Sequence, residues 1–261
     1  CATLLNPHIL SLCKSAEMCY NIPITNCKTK GVHIMKYRYE LHMHTKEGSA
    51  CAVSLVEDMI KQYVKIGFSG AVVTNHFIRG NTCVSRSLPW EQLIMQYSKA
   101  YTNGRKIAAE LDFDLFFGIE EGYGNGKEFL AYGFEPEFLL SRPFLRNADL
   151  NIWAQEIHSV GGFIAYAHPF RDRDYIKNPD EVPDISIVDG IEGYNRGNRD
   201  IENEKAIRVF GNADTVITAG SDLHSTDFDS AYGIETQHRI NSNEELVKTL
   251  LERNFRVYLG G

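Results

Sequence analysis

The chain has 261 residues, 43% hydrophobic and 23% charged, which is the balance of a folded globular protein and too apolar for a disordered one. Its 27 Lys and Arg against 34 Asp and Glu leave a net charge of −7, arguing against general nucleic-acid binding, because phosphate contacts need a basic face. No apolar stretch reaches the roughly 18 residues of a membrane span, and no basic segment leads into an apolar one near the start, so a cytoplasmic chain without membrane attachment is expected.

Four of the six cysteines, Cys1, Cys13, Cys19 and Cys27, fall before the first recognisable element. Their spacings do not match the short pairs of a zinc knuckle, the chain is not a small disulfide-stapled domain, and Cys1 alone is thin ground for a lipid-modified end. The stretch has no clear periodicity, so residues 1–34 are read as an N-terminal extension or leader with little of the function. Residues 35–261 form the working domain.

From Tyr37 onward strands and helices alternate. Tyr37–Leu41 reads as a strand, and Ser54 with Glu57 has the spacing of a capping box opening a helix through Lys65, closed by Gly67. Gly70–Thr74 is a short buried strand. Trp90–Leu111 reads as one long helix with Leu93, Ile94, Tyr97 and Tyr101 on its apolar stripe. Strand Leu115–Ile119, a Gly-rich turn over 122–126 and strand Phe129–Phe134 form a hairpin. A helix over Asn151–Val160 closes at Gly161-Gly162. Strands Phe163–Ala167, Val188–Ile191 and Val216–Ala219 follow, with a helix over Ile201–Phe210 between the last two. Ser242 with Glu245 caps a final helix to Arg253, and Phe255–Leu259 reads as a closing strand.

Polar residues gather just past the strand ends: His42 and His44, His76, Glu120 and Glu121, His168, Glu192, then Asp222 and His224. In a barrel those ends converge on one mouth, whereas an open sheet unites only its switch-point loops and no Gly-x-Gly-x-x-Gly opens the first helix. The barrel is therefore preferred. His42 and His44 alternate on one strand face, so both imidazoles can bind one metal. Alone, such a pair is as often an ordinary polar edge. Of the nine histidines, however, five lie at strand ends near carboxylates, while His8, His33, His158 and His238 do not. Glu120 can bridge two metals with its two oxygens.

The stretches Glu40–Thr45, Val73–His76, Gly118–Glu120, Ala167–Pro169 and Gly220–His224 together resemble the PHP family, named for polymerase and histidinol phosphatase domains. They occur in the family's order over nearly all of residues 35–261. The resemblance implies a distorted (β/α)7 TIM-like barrel, α/β in class, with its metal site at the C-terminal ends of the strands and hydrolysis of phosphate esters. On this mapping His42, His44, Glu120 and Asp222 serve a first metal, His168 with bridging Glu120 a second, and His76 with His224 a third. Two departures stand out. Where the family often has His or Asp after the first motif, this chain has Glu47-Gly48-Ser49-Ala50, so either Glu47 substitutes or the third site is weak. Glu128 stands where a His is common, which favours Mn2+, Mg2+ or Fe over Zn2+ bound by nitrogen alone. Asn75 also replaces the acid of the usual Thr-Asp-His.

The expected chemistry is hydrolysis of a phosphate monoester, of a small molecule or nucleotide, by a metal-activated hydroxide on two or three divalent ions (Mn2+, Fe2+/Fe3+, Zn2+ or Mg2+), without a side-chain nucleophile. Arg171, then Arg196, then Arg79 are the candidates for binding the substrate phosphate, each arginine offering a planar fork. The polar loop 171–183, with Tyr175, can rim the pocket. A phosphodiesterase or nuclease, a phosphotyrosine phosphatase, and a non-catalytic metal-binding module are the alternatives. Metal-dependent amidohydrolases also use His-x-His on a barrel, but no lysine stands at a strand end to bridge their metals.

Overall fold

The computed structural model describes residues 37–260, so the extension expected over residues 1–34, with its four cysteines, lies outside the described residues. The chain enters through β1 (Tyr37–Met43), then α1 (Val56–Lys65), β2 (Gly70–Val73), α2 (Trp90–Tyr97), α3 (Lys99–Glu110), β3 (Asp114–Gly124) and β4 (Lys127–Tyr132). It continues through α4 (Pro136–Leu140), α5 (Leu150–Ser159), β5 (Phe163–Tyr166), β6 (Gly190–Asn195), α6 (Asp200–Phe210), β7 (Val216–Gly220), β8 (Gly233–Thr236), α7 (Asn243–Leu251) and β9 (Arg256–Tyr258).

The strands form one mixed sheet in the order β7-β6-β5-β4-β3-β2-β1-β8-β9. β1, β2 and β3 are parallel, as are β5, β6 and β7, while β4 runs antiparallel to both β3 and β5. The expected hairpin is thus one stave of the barrel. The sheet nearly closes where the N–H of Asp222 bonds the carbonyl of His42 at 2.9 Å and the N–H of His44 bonds that of Leu223 at 3.2 Å. At its other end β1 pairs with β8 through Tyr37–Tyr39, and β9 extends β8. Seven staves closed in this way make the distorted TIM-like barrel implied by the motifs.

Buried Tyr39, Leu41, Val72, Phe116, Leu130, Tyr132, Phe163, Ala165 and Val216 pack together as one apolar cluster contributed by successive strands. Met43 instead packs with Val56, Met59 and Ile60 of α1. Strict alternation would keep Met43 on the side of Tyr39 and Leu41, but the β1–β2 register slips between Glu40 and Met43. Such an irregularity re-aims the side chains beyond it, and here it turns both His42 and His44 inward.

Glu40 fixes this turn. Its Oε1 accepts the N–H groups of His42 and Ser221, each at 2.8 Å, and its Oε2 accepts the Tyr63 hydroxyl at 2.9 Å. One buried carboxylate therefore ties β1, the loop after β7 and α1 together.

Three local expectations change. The helix expected over Trp90–Leu111 breaks into α2 and α3, because the Ser98 hydroxyl bonds back to the Ile94 carbonyl at 2.8 Å and takes up the C-terminus of α2. The capping box at Ser54 does not form. Leu55 stands at the N-cap, the Glu47 carboxylate accepts the Val56 N–H at 3.0 and 3.2 Å, and Ser54 Oγ accepts the Thr226 N–H at 3.1 Å. β8, only four residues long, has no counterpart in the sequence reading. Ser242 does cap α7, accepting the Glu245 N–H at 3.1 Å.

Candidate metal centre

The mouth of the barrel gathers His42, His44, His76, Glu120, Glu128, His168, Asp222 and His224. The parallel strands deliver their residues from C-terminal ends. β4 runs the other way and so delivers Glu128 from its beginning. Donor atoms fall into four overlapping groups, each within 4.8 Å: His42, His44 and Asp222; His42, Glu120 and His168; His76, Glu120 and Glu128; and His44, His76 and His224. Glu120 is fully buried at the middle, with Oε1 3.2 Å from His42 Nε2 and 3.0 Å from His168 Nε2, and Oε2 2.7 Å from His76 Nδ1 and 3.4 Å from His44 Nε2.

Hydrogen bonds fix which nitrogens face inward. His42 Nδ1 lies 2.9 Å from the Glu192 carboxylate, which only accepts, so the ring proton sits on Nδ1. The Thr45 N–H bonds Asn75 Oδ1 at 2.7 Å, which sets the orientation of that amide. Ser49 Oγ then donates to Asn75 Oδ1 at 2.9 Å and accepts from His44 Nδ1 at 2.9 Å and from the His76 N–H at 3.0 Å. Both histidines consequently turn a lone pair inward, and their Nε2 atoms are 3.0 Å apart. Two nitrogens at that distance need a proton or a cation between them. Asp222 Oδ1, 3.1 Å from His44 Nε2 and 3.5 Å from His42 Nε2, adds negative charge. His76 Nδ1 and Glu120 Oε2 are buried facing each other at 2.7 Å, with no further hydrogen-bond partner among the described residues. The donor set fits divalent cations, which would satisfy these converging atoms together.

The backbone is strained at two of these positions: φ is 29° at His168 and 56° at Asp222. A left-handed conformation is unfavourable for such residues and persists where the surroundings enforce it, commonly at functional sites. The Glu192 carboxylate holds the His168 N–H at 3.0 Å, and Arg171 Nη2 holds Asp222 Oδ2 at 2.6 Å.

Electrostatics follow the same geometry. Burial and then the neighbouring His76 hold His44 down at about 3, so its imidazole stays neutral. Burial opposes the charge on Glu120, but His76 and His42 outweigh it and hold the carboxyl well below its usual range. Burial likewise opposes ionisation of Asp222, and Arg171 with His42 overcomes it. His42 moves upward because Glu192, Asp222 and Glu120 outweigh its burial. This is a cage of acceptors that demands positive charge.

Above the cluster lies a cavity of about 560 Å3 lined by Cys51, His76, Arg79, Asn81, Lys127, Glu128, Arg171, Tyr175, Asp222 and His224. Arg171 and Arg79 reach it; Arg196 is not among its lining residues, and its N–H bonds the Gly220 carbonyl at 3.0 Å. Glu47, bound to the start of α1, stands outside the donor groups. Sequence reading passed over Ser49, Asn75 and Cys51. Their signal was position alone: Ser49 and Cys51 follow the first motif, and Asn75 stands where an acid was expected. Cys51 lines the same cavity as His224 and His76, whose interactions with its thiol outweigh burial and bring it down to about 6.

No family model matches the sequence, and no curated protein matches it. Solved structures do share the fold. A two-domain protein from Bacteroides vulgatus containing a predicted PHP-like metal-dependent phosphoesterase superposes with a TM-score of 0.63 at 16% identity, over 86% of this chain and 65% of that one. A proposed metal-dependent phosphoesterase from Bifidobacterium adolescentis gives 0.54 at 14% identity, over 83% and 96%. The lesion-specific endonuclease Q of Pyrococcus furiosus gives 0.52 at 14% identity, over 86% and 58%. The chain thus spans less than two thirds of the first and third of these proteins. These three structures, described as a predicted PHP-like phosphoesterase, a proposed metal-dependent phosphoesterase and an endonuclease, share the fold of this chain.

Proposed function

We infer that this chain is a metal-dependent phosphoesterase that hydrolyses phosphate monoesters of small molecules or nucleotides. The observation that carries this reading is the pair of inward Nε2 atoms of His42 and His44, 3.0 Å apart inside a cage of carboxylates. His42, His44, Asp222 and Glu120 would hold one ion, His168 with the shared Glu120 a second, and His76 with Glu128 or His224 a third. Divalent ions bound there supply Lewis acidity toward phosphoryl oxygens and a nucleophilic water at neutral pH.

The chain's own residues do the rest. Glu192 and Ser49 hold the two imidazoles in the ligating tautomer. Asn198 accepts from Arg171 Nε, and Asn195 and Asp222 accept from its Nη2, which leaves Nη1 to turn toward a phosphoryl oxygen. Arg79 and Lys127 line the same cavity and add positive charge where the substrate's dianion enters. Tyr175, 62% exposed at the rim, offers an apolar face to the alcohol portion of the ester.

A second reading, hydrolysis of a phosphodiester in nucleic acid, draws on the likeness to endonuclease Q. The net charge of −7 weighs against it. The test is a comparison of p-nitrophenyl phosphate with bis(p-nitrophenyl) phosphate and an abasic duplex, after chelation and after Mn2+ addition. Monoester turnover, lost on chelation and restored by Mn2+, is expected. Turnover that survives exhaustive chelation would refute the metal mechanism, and preference for either diester would favour the second reading.

A further inference from the structure

Glu192 and Arg171 have separate roles at the mouth. Glu192 holds His42 Nδ1 and the His168 N–H, whereas Arg171 holds Asp222 and lines the cavity. Both lead to Asn195, which is fully buried. Its Nδ2 donates to Glu192 Oε2 at 2.8 Å, and its Oδ1 accepts from Arg171 Nη2 at 2.9 Å. The Gly197 N–H donates to the same Oδ1 at 2.7 Å, and a main-chain donor there fixes which end of the amide is oxygen.

Strict alternation along β6 would put Tyr194, not Asn195, on the side of Glu192. The register against β7 slips between Glu192 and Tyr194, and beyond the slip Asn195 is buried while Tyr194 is partly exposed. Asn203 of α6 then holds the strand end: its Oδ1 accepts the Asn195 N–H at 3.1 Å and its Nδ2 donates to the Asn195 carbonyl at 2.9 Å. That Oδ1 also accepts from Asn198 Nδ2 at 3.0 Å, which turns Asn198 Oδ1 to Arg171 Nε at 2.9 Å. An amide suits position 195 because it donates and accepts at once. A carboxylate there would meet Glu192 with like charge, and an ammonium would meet Arg171 with like charge.

Taking the cluster as a metal-dependent phosphoesterase site, on which this inference rests, we propose that Asn195 is a positioning residue coupling the metal-orienting Glu192 to the phosphate-binding Arg171. Asn195 serves both branches. Asn198 serves only the branch of the arginine, since in its absence Arg171 Nη2 keeps both Asn195 and Asp222.

Two titrations of the full chain separate the branches without reference to turnover: inorganic phosphate at saturating Mn2+, and Mn2+ in competition with a chromogenic chelator. Asn195→Ala and Asn198→Ala should both bind phosphate about 5- to 50-fold more weakly. Only Asn195→Ala should also lose Mn2+ affinity, by about 3- to 10-fold. In an Arg171→Ala background neither substitution should weaken phosphate binding further, whereas a merely structural role would add in full. Asn195→Ser takes the place of Asn195→Ala if circular dichroism shows the latter unfolded. Unchanged affinities in the Asn195 variant, a loss confined to one of the two ligands, or full additivity with Arg171→Ala overturns the coupling while leaving the metal site standing. A wild type that binds neither Mn2+ nor phosphate overturns both.

Discussion

His42 can ligate through Nε2 only while its proton stays on Nδ1, and Glu192 alone faces that nitrogen. Glu192 also receives the His168 N–H and the Asn195 side-chain amide on its other oxygen. In Glu192→Gln the remaining oxygen keeps those two donors, so the new NH2 faces Nδ1 and drives the proton to Nε2. A drop in metal affinity of about 10- to 100-fold is expected, measurable by competition with a chromogenic chelator; unchanged affinity would mean that Glu192 does not set the tautomer. Arg171 links two roles, because its Nη2 holds Asp222 Oδ2 at 2.6 Å. Burial disfavours its charge, but Asp222 raises its pKa further than burial lowers it. Arg171→Ala should reduce kcat/KM on phosphate esters by roughly 10- to 1000-fold and also loosen the ion nearest Asp222. Steady-state kinetics combined with metal analysis would detect both, and full retention of kcat/KM would remove Arg171 from the substrate site. At this scale the side chains that gather at the mouth were legible, since His, Glu and Asp at strand ends announce their chemistry. The residues that orient them were not, because Ser49 meets His44 only through the fold of the loop between them and Asn75 meets Thr45 and Ser49 across the β1–β2 connection.

Among the elements, the slip in β1 matters most, because it reverses the inward face just before His42 and His44. The sequence shows the alternating histidines but not the slip, which arises from pairing with β2. The antiparallel edge β8–β9 has its own electrostatic clamp: Glu235 receives Arg38 Nε of β1 at 2.8 Å and Arg256 Nε of β9 at 2.6 Å. Burial would raise the Glu235 pKa, but its bonds to Arg38 and Arg256 prevail and lower it. A carboxyl whose pKa is lower in the folded chain contributes stability above its unfolded pKa and loses that contribution as the pH falls through the folded value. Thermal unfolding of Glu235→Gln should therefore lie furthest below the wild type near neutral pH, with the gap narrowing below about pH 4.5. A gap independent of pH would assign the effect to packing. Helix ends were partly legible: Ser242 caps α7 as its spacing implies, whereas Ser54 was drawn away by Thr226, a partner from another part of the chain.

For the molecule as a whole, closure of the sheet is what creates the site. The bonds from Asp222 to His42 and from His44 to Leu223 join the last motif to the first. Residues 35–261 should therefore carry metal binding by themselves, and a chain starting at Met35 is expected to fold and retain the metal stoichiometry of the full chain. Circular dichroism and elemental analysis would check this; loss of folding would give residues 1–34 a structural role. Periodicity and ligand chemistry are local properties, so the alternating elements, the barrel and the candidate metal-binding side chains could be read from the chain alone. Tertiary contacts place Glu47 at the start of a helix and Cys51 on the cavity wall, leave Arg196 off the cavity lining, and let Glu192, Ser49 and Asn75 orient the histidines. Those roles depend on which donor meets which acceptor after closure, and hydrogen-bond partners separated by up to 150 residues, as His42 and Glu192 are, leave no periodic trace in the chain.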